Sequence, residues 1–451
     1  MRAIVLLLLL LTGWARADDW SETRDRLWEE WKGVPGAELV PLGMTALETV
    51  AHDASRAPLE HLMVKLEANR GLAFEHFVPW HVKDREQLGV FFAKQLEIYY
   101  PVEQSTLDEA MLKHLGLVKP DFEIRPFMQE LYTEQIAGAY DPDSRQFFMV
   151  DVKQSLATKL LSGGADPNEV LIYHELDHAL GDQHFDLKKI QLEAVKAHNT
   201  DMSLAVSSLL EGEATLAMFD FQLGDDASVD GANLDMSRMA DLVTKFPIPL
   251  PGMGNYTRAP LYFKRALIFP YYIGMGLVGR VRAMGGWPAV SLMYQDLPLS
   301  SEQVIHPEKY LEERDFPIQV KLAGLPAPQG WKVLGHDDTG GEFLVRAFLE
   351  QHGVEREVAA TGWGGDRYRV WTRGEQSCFL WVTVWDTARD AVEFEQAARQ
   401  AIGSKWQLTR QKDRVILAHQ LPAGSWPSLE KAALAAPAAR MQRSVIVRSL
   451  W

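Results

Sequence analysis

Residues 171 to 187 read LIYHELDHALGDQHFDL, three histidines and several acids within a short helical pattern and its exit. The heart of the stretch is His174-Glu175-Leu176-Asp177-His178, an HExxH sequence preceded by the apolar Val170-Leu171-Ile172-Tyr173. Four residues advance an α-helix by about 400°, so both imidazoles point the same way and can share one ion, with Glu175 beside them. Given a third ligand and an open position for water, the chemistry to expect is metal-assisted hydrolysis, with Glu175 as general base. The plainer alternative is a charged helix with two surface histidines, and Asp177, a charge between the two would-be ligands, argues on that side.

Two completions of the site are available. Locally, His174, Glu175, His178, Gly181 and His184 fit HExxHxxGxxH, in which a glycine ends the helix and swings a third histidine onto the metal. Further along, Glu211 and Glu213 are the only charges between Leu204 and Phe219, and a carboxylate in so apolar a helix is costly unless something neutralises it. The helical neighbours of Glu211 are Ser207, Ser208, Ala214 and Thr215, a small-residue face that would let its helix approach the HExxH helix. Glu213 has Leu209, Leu210, Leu216 and Ala217 around it, which makes it the poorer ligand.

The local completion resembles the metzincins, which place a methionine turn below the metal; Met253 in PGMGN is the candidate for it. LLEGEAT (209 to 215) resembles the NEGFA-type segment of gluzincin aminopeptidases, with a wider interval after the second histidine, and Glu211 matches the glutamate that ligates zinc there. Together with SSEQVIHPEKY (300 to 310) and GWGGDRY (362 to 368), these stretches resemble a group of secreted bacterial HExxH proteins read as zinc metallopeptidases. The resemblance implies a zincin-like fold and one Zn2+ held by His174, His178 and Glu211, with Glu175 as catalytic base. It favours Glu211 over His184 as third ligand, because the position of Gly181 is often a larger residue in that group.

On this reading Asp182, four residues after His178, is placed to orient an imidazole, and His184 is a packed histidine. His306 could stabilise the oxyanion, against the commoner role of a structural histidine before proline; Tyr256 and Tyr310 are weaker candidates for that task. Glu308 and Lys309 read as a surface pair, and Asp366 and Arg367 as a local pair at a turn into a strand. The runs TEQIAGAY and RQFFMVDV flank Asp141-Pro142-Asp143-Ser144 and read as a β-hairpin, whose edge could align an extended peptide substrate.

The first residues, MRAIVLLLLLLTGWARADDW, have the layout of a secretory signal peptide cleaved after Ala17, which places the protein outside the cell or in the periplasm. The apolar run 266 to 279 is flanked by Arg265 and Arg280 and contains Pro270, so it reads as a buried helix and no integral membrane segment is expected after processing. A single cysteine, Cys378, excludes an internal disulfide. A net charge of −15 without a basic run argues against nucleic acid as a partner and leaves a peptide or protein substrate.

The fold class expected is α+β. A mostly helical zincin-like domain (18 to 321) carries the hairpin, LAGLPAPQG (322 to 330) reads as a linker, and residues 331 to 451 form a β-β-α-β-β module. Two rival functions share the scaffold. One is an envelope binding or assembly protein without turnover, against which Glu175 speaks because metal binding alone does not need it. The other is an amide hydrolase acting on cell-wall peptide.

Overall fold

The computed structural model describes residues 59–83, 85–135, 138–150, 167–223 and 258–442. The expected leader, Met253 and Tyr256 lie outside the described residues. The first part of the chain runs α1 (59–70), β1 (Trp80–Lys83), α2 (Arg85–Tyr99), α3 (Val102–His114), α4 (Ile124–Gln135), β2 (Gly138–Asp141) and β3 (Gln146–Val150). It continues through α5 (Pro167–Phe185), α6 (Leu187–Lys196), α7 (Thr200–Leu223), α8 (Leu261–Leu292) and the short α9 (Ser301–Ile305) and α10 (Glu308–Leu311).

The hairpin forms where turn chemistry demands it. Asp141 turns its carboxylate onto Asp143 N (3.1 Å) and Ser144 Oγ (2.7 Å), closing the reversal that pairs Tyr140 with Phe147. Its first strand is shorter than expected, because Thr133 to Gln135 complete α4. β1 joins β3 in parallel, so the order is β1-β3-β2 and β2 is an edge.

Helices α5, α7 and α8 build the first core, in which Leu176, Leu180, Leu209, Leu216, Leu277 and Val278 are fully buried. Gly212 meets Gly274, and Asp220 pairs with Arg282 at 2.5 Å; the equal separation of these pairs means that α7 and α8 run parallel. A Cβ on Gly274 would lie 2.1 Å from the Ser208 carbonyl oxygen. The small residues of α7 thus serve its contact with α8, where the sequence suggested the HExxH helix. Gly274→Ala should therefore push the helices apart and lower stability by about 1–3 kcal/mol, the cost of overpacking. An unchanged denaturation midpoint would show that the contact yields freely. Among the described residues no helix is long and apolar enough to cross a membrane.

The second part contains β4 (Ile318–Val320), β5 (Lys332–Val333), α11 (Gly341–Gln351), α12 (Glu357–Ala360), β6 (Trp363–Arg373), β7 (Gln376–Trp385), α13 (Ala388–Ala401), β8 (Trp406–Gln411), β9 (Arg414–His419), α14 (Trp426–Leu434) and β10 (Ala438–Arg440). The chain is α+β, and β6-β7-α13-β8-β9 has the expected element order. The antiparallel sheet is ordered β5-β6-β7-β9-β8 and buries both faces. One face, with Tyr368, Phe379, Trp381 and Leu417, packs on α11, α13 and Leu107, Met111 and Leu112 of α3. The other, with Trp371, Leu380 and Ile416, is covered by Val320, Leu322, Leu325 and α14.

This packing adds to the reading of residues 322 to 330. The stretch read as a linker has Leu322 and Leu325 buried under the sheet, so it also serves as a structural cover. The proposed Asp366–Arg367 pair is not formed, because neighbours in a strand face opposite sides. Asp366 is buried and accepts from Gly340 N, Gly341 N, Trp363 Nε1 and Trp381 Nε1, while Arg367 donates to the carbonyls of His198 and Asp337.

Candidate metal centre

Helix α5 starts at Pro167, whose fixed φ suits a first turn, and carries Glu169 near its positive end. Continuous helix through His174 and His178 aims both rings at α7. His174 Nε2 and His178 Nε2 lie 3.1 Å apart, and Glu211 Oε2 lies 3.2 Å from the first and 3.3 Å from the second. Tetrahedral zinc with ligand distances near 2.05 Å would set its donors about 3.3 Å from one another, so the triangle has the size such an ion needs. Two imidazole nitrogens and a carboxylate oxygen are also the right donor chemistry. Glu211 remains about a quarter exposed (26%), which leaves the triangle open on one side.

The electrostatics fit a site built for a cation. Burial alone would raise the Glu211 carboxyl, yet the imidazoles of His178 and His174 hold it well below the usual carboxylate range. Burial likewise lowers His178, but the Glu211 carboxylate wins and pushes it up to about 9.

Glu175 is buried beside the triangle, and its Oε2 accepts from the backbone N–H of Tyr140 at 2.8 Å. Edge strand β2 is thereby pinned along the site. Asp182 takes part in the same attachment: it accepts from Tyr140 Oη (2.9 Å) and faces the N-terminus of α6 through Lys188 N (3.5 Å). Its expected role of orienting an imidazole is replaced by holding β2 to α5. Tyr271 of α8 stacks at 6.1 Å on the ring of His174 and is exposed at the mouth of the site, a neighbour the sequence reading did not single out.

The local completion does not form in this structure. Gly181 stays within α5, which runs on to Phe185, with Leu187 and Tyr294 at ordinary contact distance from where a Cβ would stand. The chain turns only at Asp186, in a left-handed conformation that caps α6 through Lys189 N. His184 meanwhile bonds the carbonyl of Ala73 through Nε2 at 2.8 Å.

The other proposed residues are engaged elsewhere. His306 Nε2 lies 3.0 Å from Glu342 Oε1, tying α9 to α11. Tyr310 donates to the carbonyl of Asp296 at 2.7 Å. Lys309 does not form a surface pair with Glu308; it reaches Glu302 (2.5 Å), Asp315 (3.0 Å) and Asp386 (2.7 Å), a clasp between α9 and the second part of the chain.

Behind the triangle lies a residue the sequence reading missed. Arg70, buried at the end of α1, bonds both Asp177 and Glu213, while Tyr294 donates to Glu213 and the guanidinium covers Trp287 at 4.3 Å. The two acids left unexplained by the motif are therefore the counterions of one buried cation. Asp177 adjoins His178, and Glu213 is two residues from Glu211, so Arg70 sets the register of the two helices that carry the donors. Two stranded carboxylates on apolar helices were the available signal; that their partner lay on α1 was not legible.

Residues 332–446 match a family model described as a domain of unknown function, DUF8575. The match spans the five-stranded sheet and its helices and includes none of the donor residues. No curated protein matches the chain. No solved structure matches it.

Proposed function

We propose that this chain is a secreted or periplasmic zinc-dependent metallopeptidase that hydrolyses peptide or protein substrates. The observation that carries the proposal is the triangle of His174, His178 and Glu211, three donors of suitable chemistry within one ion's reach. When bound, zinc supplies Lewis acidity, acidifying a water and polarising a carbonyl. The remaining work falls to the chain's own groups. Glu175, with Oε2 held by the Tyr140 amide, keeps its other oxygen to take the proton of the attacking water and pass it to the leaving amine. Edge strand β2, whose Tyr140 N–H is taken by Glu175, has only its remaining edge groups to offer an extended peptide running past the triangle.

The test is zinc affinity in the full chain. Wild type should bind one equivalent, Glu211→Ala should weaken binding by at least about 100-fold, the upper range for loss of a supporting partner. His184→Ala should bind as wild type. Zinc lost on His184→Ala but retained on Glu211→Ala would transfer the third position to His184.

A further inference from the structure

Helices α5 and α7 are bridged twice. On one side His174, His178 and Glu211 bring their donor atoms within 3.3 Å of one another. On another, Asp177 and Glu213 meet the guanidinium of Arg70 at the end of α1. Helical period keeps the two bridges apart: Asp177 stands about 60° from His174 and about 100° from His178 around α5, and Glu213 about 200° from Glu211 around α7. The donor triangle and the guanidinium therefore close different sides of one seam.

The second bridge is fixed as well as buried. Arg70 takes one oxygen of Glu213 and Tyr294 the other, and Trp287 lies 4.3 Å from the guanidinium. Trp287 follows a break in α8, where Gly285 and Gly286 leave the helical conformation and Gly286 takes a φ of +68°. Its Nε1 donates at 3.0 Å to Asn69, the neighbour of Arg70. A planar guanidinium presents its N–H groups in a rigid fork, so two carboxylates bound to it are held at a set separation. Those carboxylates stand one residue from His178 and two from Glu211, so that separation carries through to the donors.

We propose that Arg70 is a positioning residue of the metal centre: by fixing α5 against α7 it keeps the three donors gathered before an ion arrives, which couples metal affinity to the seating of α1. The inference rests on the metal-site reading above. Charge alone predicts the opposite effect. Arg70 is a cation close to a cation site, so removing it without any movement of the helices would strengthen zinc binding. Weaker binding on its removal is therefore a signature of geometry. Coupling is reciprocal, so zinc on the triangle in turn tightens the seam on which α1 sits.

The experiment titrates zinc into the metal-free full chain, with circular dichroism establishing that each variant is folded. Arg70→Met should bind zinc at least about tenfold more weakly than wild type, the lower end of the range for losing a partner that supports a metal ligand. Arg70→Lys is the gentler variant: it keeps the charge, loses the fork and should weaken binding in the same direction. If only Arg70→Lys folds, its affinity decides. Zinc affinity unchanged or raised in the folded variants overturns the inference alone, whereas a wild type that binds no zinc removes the metal-site reading and the inference with it. Hydrogen exchange of wild type needs no variant: zinc should slow amide exchange in α1, residues 59–70, by more than in α13 of the sheet module. Equal slowing in the two helices, or none in α1, in a chain that binds zinc overturns the inference.

Discussion

Glu175→Gln should leave zinc content unchanged and lower peptide hydrolysis by a factor on the order of 10³, within the range of about 10²–10⁴ for loss of a general base. The amide is nearly isosteric with the carboxylate, and its oxygen can still accept the Tyr140 N–H that holds Glu175 Oε2 at 2.8 Å. What it loses is basicity: an amide cannot take the proton of a water and return it to the departing amine. The donor triangle is made by His174, His178 and Glu211 and does not include this side chain. Initial rates on a casein-like substrate, paired with metal analysis of the same preparation, check both halves. Activity within tenfold of wild type at full zinc occupancy would remove Glu175 from the base role.

Arg70→Met should cost about 3–5 kcal/mol of folding stability, the scale for breaking a buried ion pair from one side. The guanidinium is fully buried, as are Asp177 and Glu213, so neither carboxylate can turn to water for a replacement. Methionine preserves much of the packing against Trp287 and removes only the charge and its hydrogen bonds. Urea denaturation measures the loss, and adding Asp177→Asn and Glu213→Gln to the same chain should recover most of it. A loss below about 1 kcal/mol for the single variant would mean that the two acids are not held as ions by Arg70.

What was legible in the sequence was what depends on local period. HExxH spacing puts two imidazoles on one helical face wherever a helix forms, and apolar, β-rich runs on either side of the helical stretch 387 to 402 read as β-β-α-β-β in order. The hairpin announced itself through turn chemistry at Asp141 to Ser144. Long-range partners were not legible, because nothing in a neighbouring residue states what will pack against it. Arg70 is 107 residues from Asp177 and 143 from Glu213. Asp366 and Arg367 looked like a pair because they are adjacent, which in a strand puts them on opposite faces. His184 shows the same limit in another form: HExxHxxGxxH matches by position, but Gly181 ends no helix, since α5 runs on to Phe185.

The join between the sheet and α3 has a consequence for inheritance. Met111 and Leu112 point into the same oil as Phe348 and Trp381, so the boundary drawn by the matched residues 332–446 is not a seam along which the molecule can be cut. A gene losing its last quarter would strand a greasy helix in water. Grafting another version of residues 332–446 onto this chain would therefore require an α3 whose apolar face fits it.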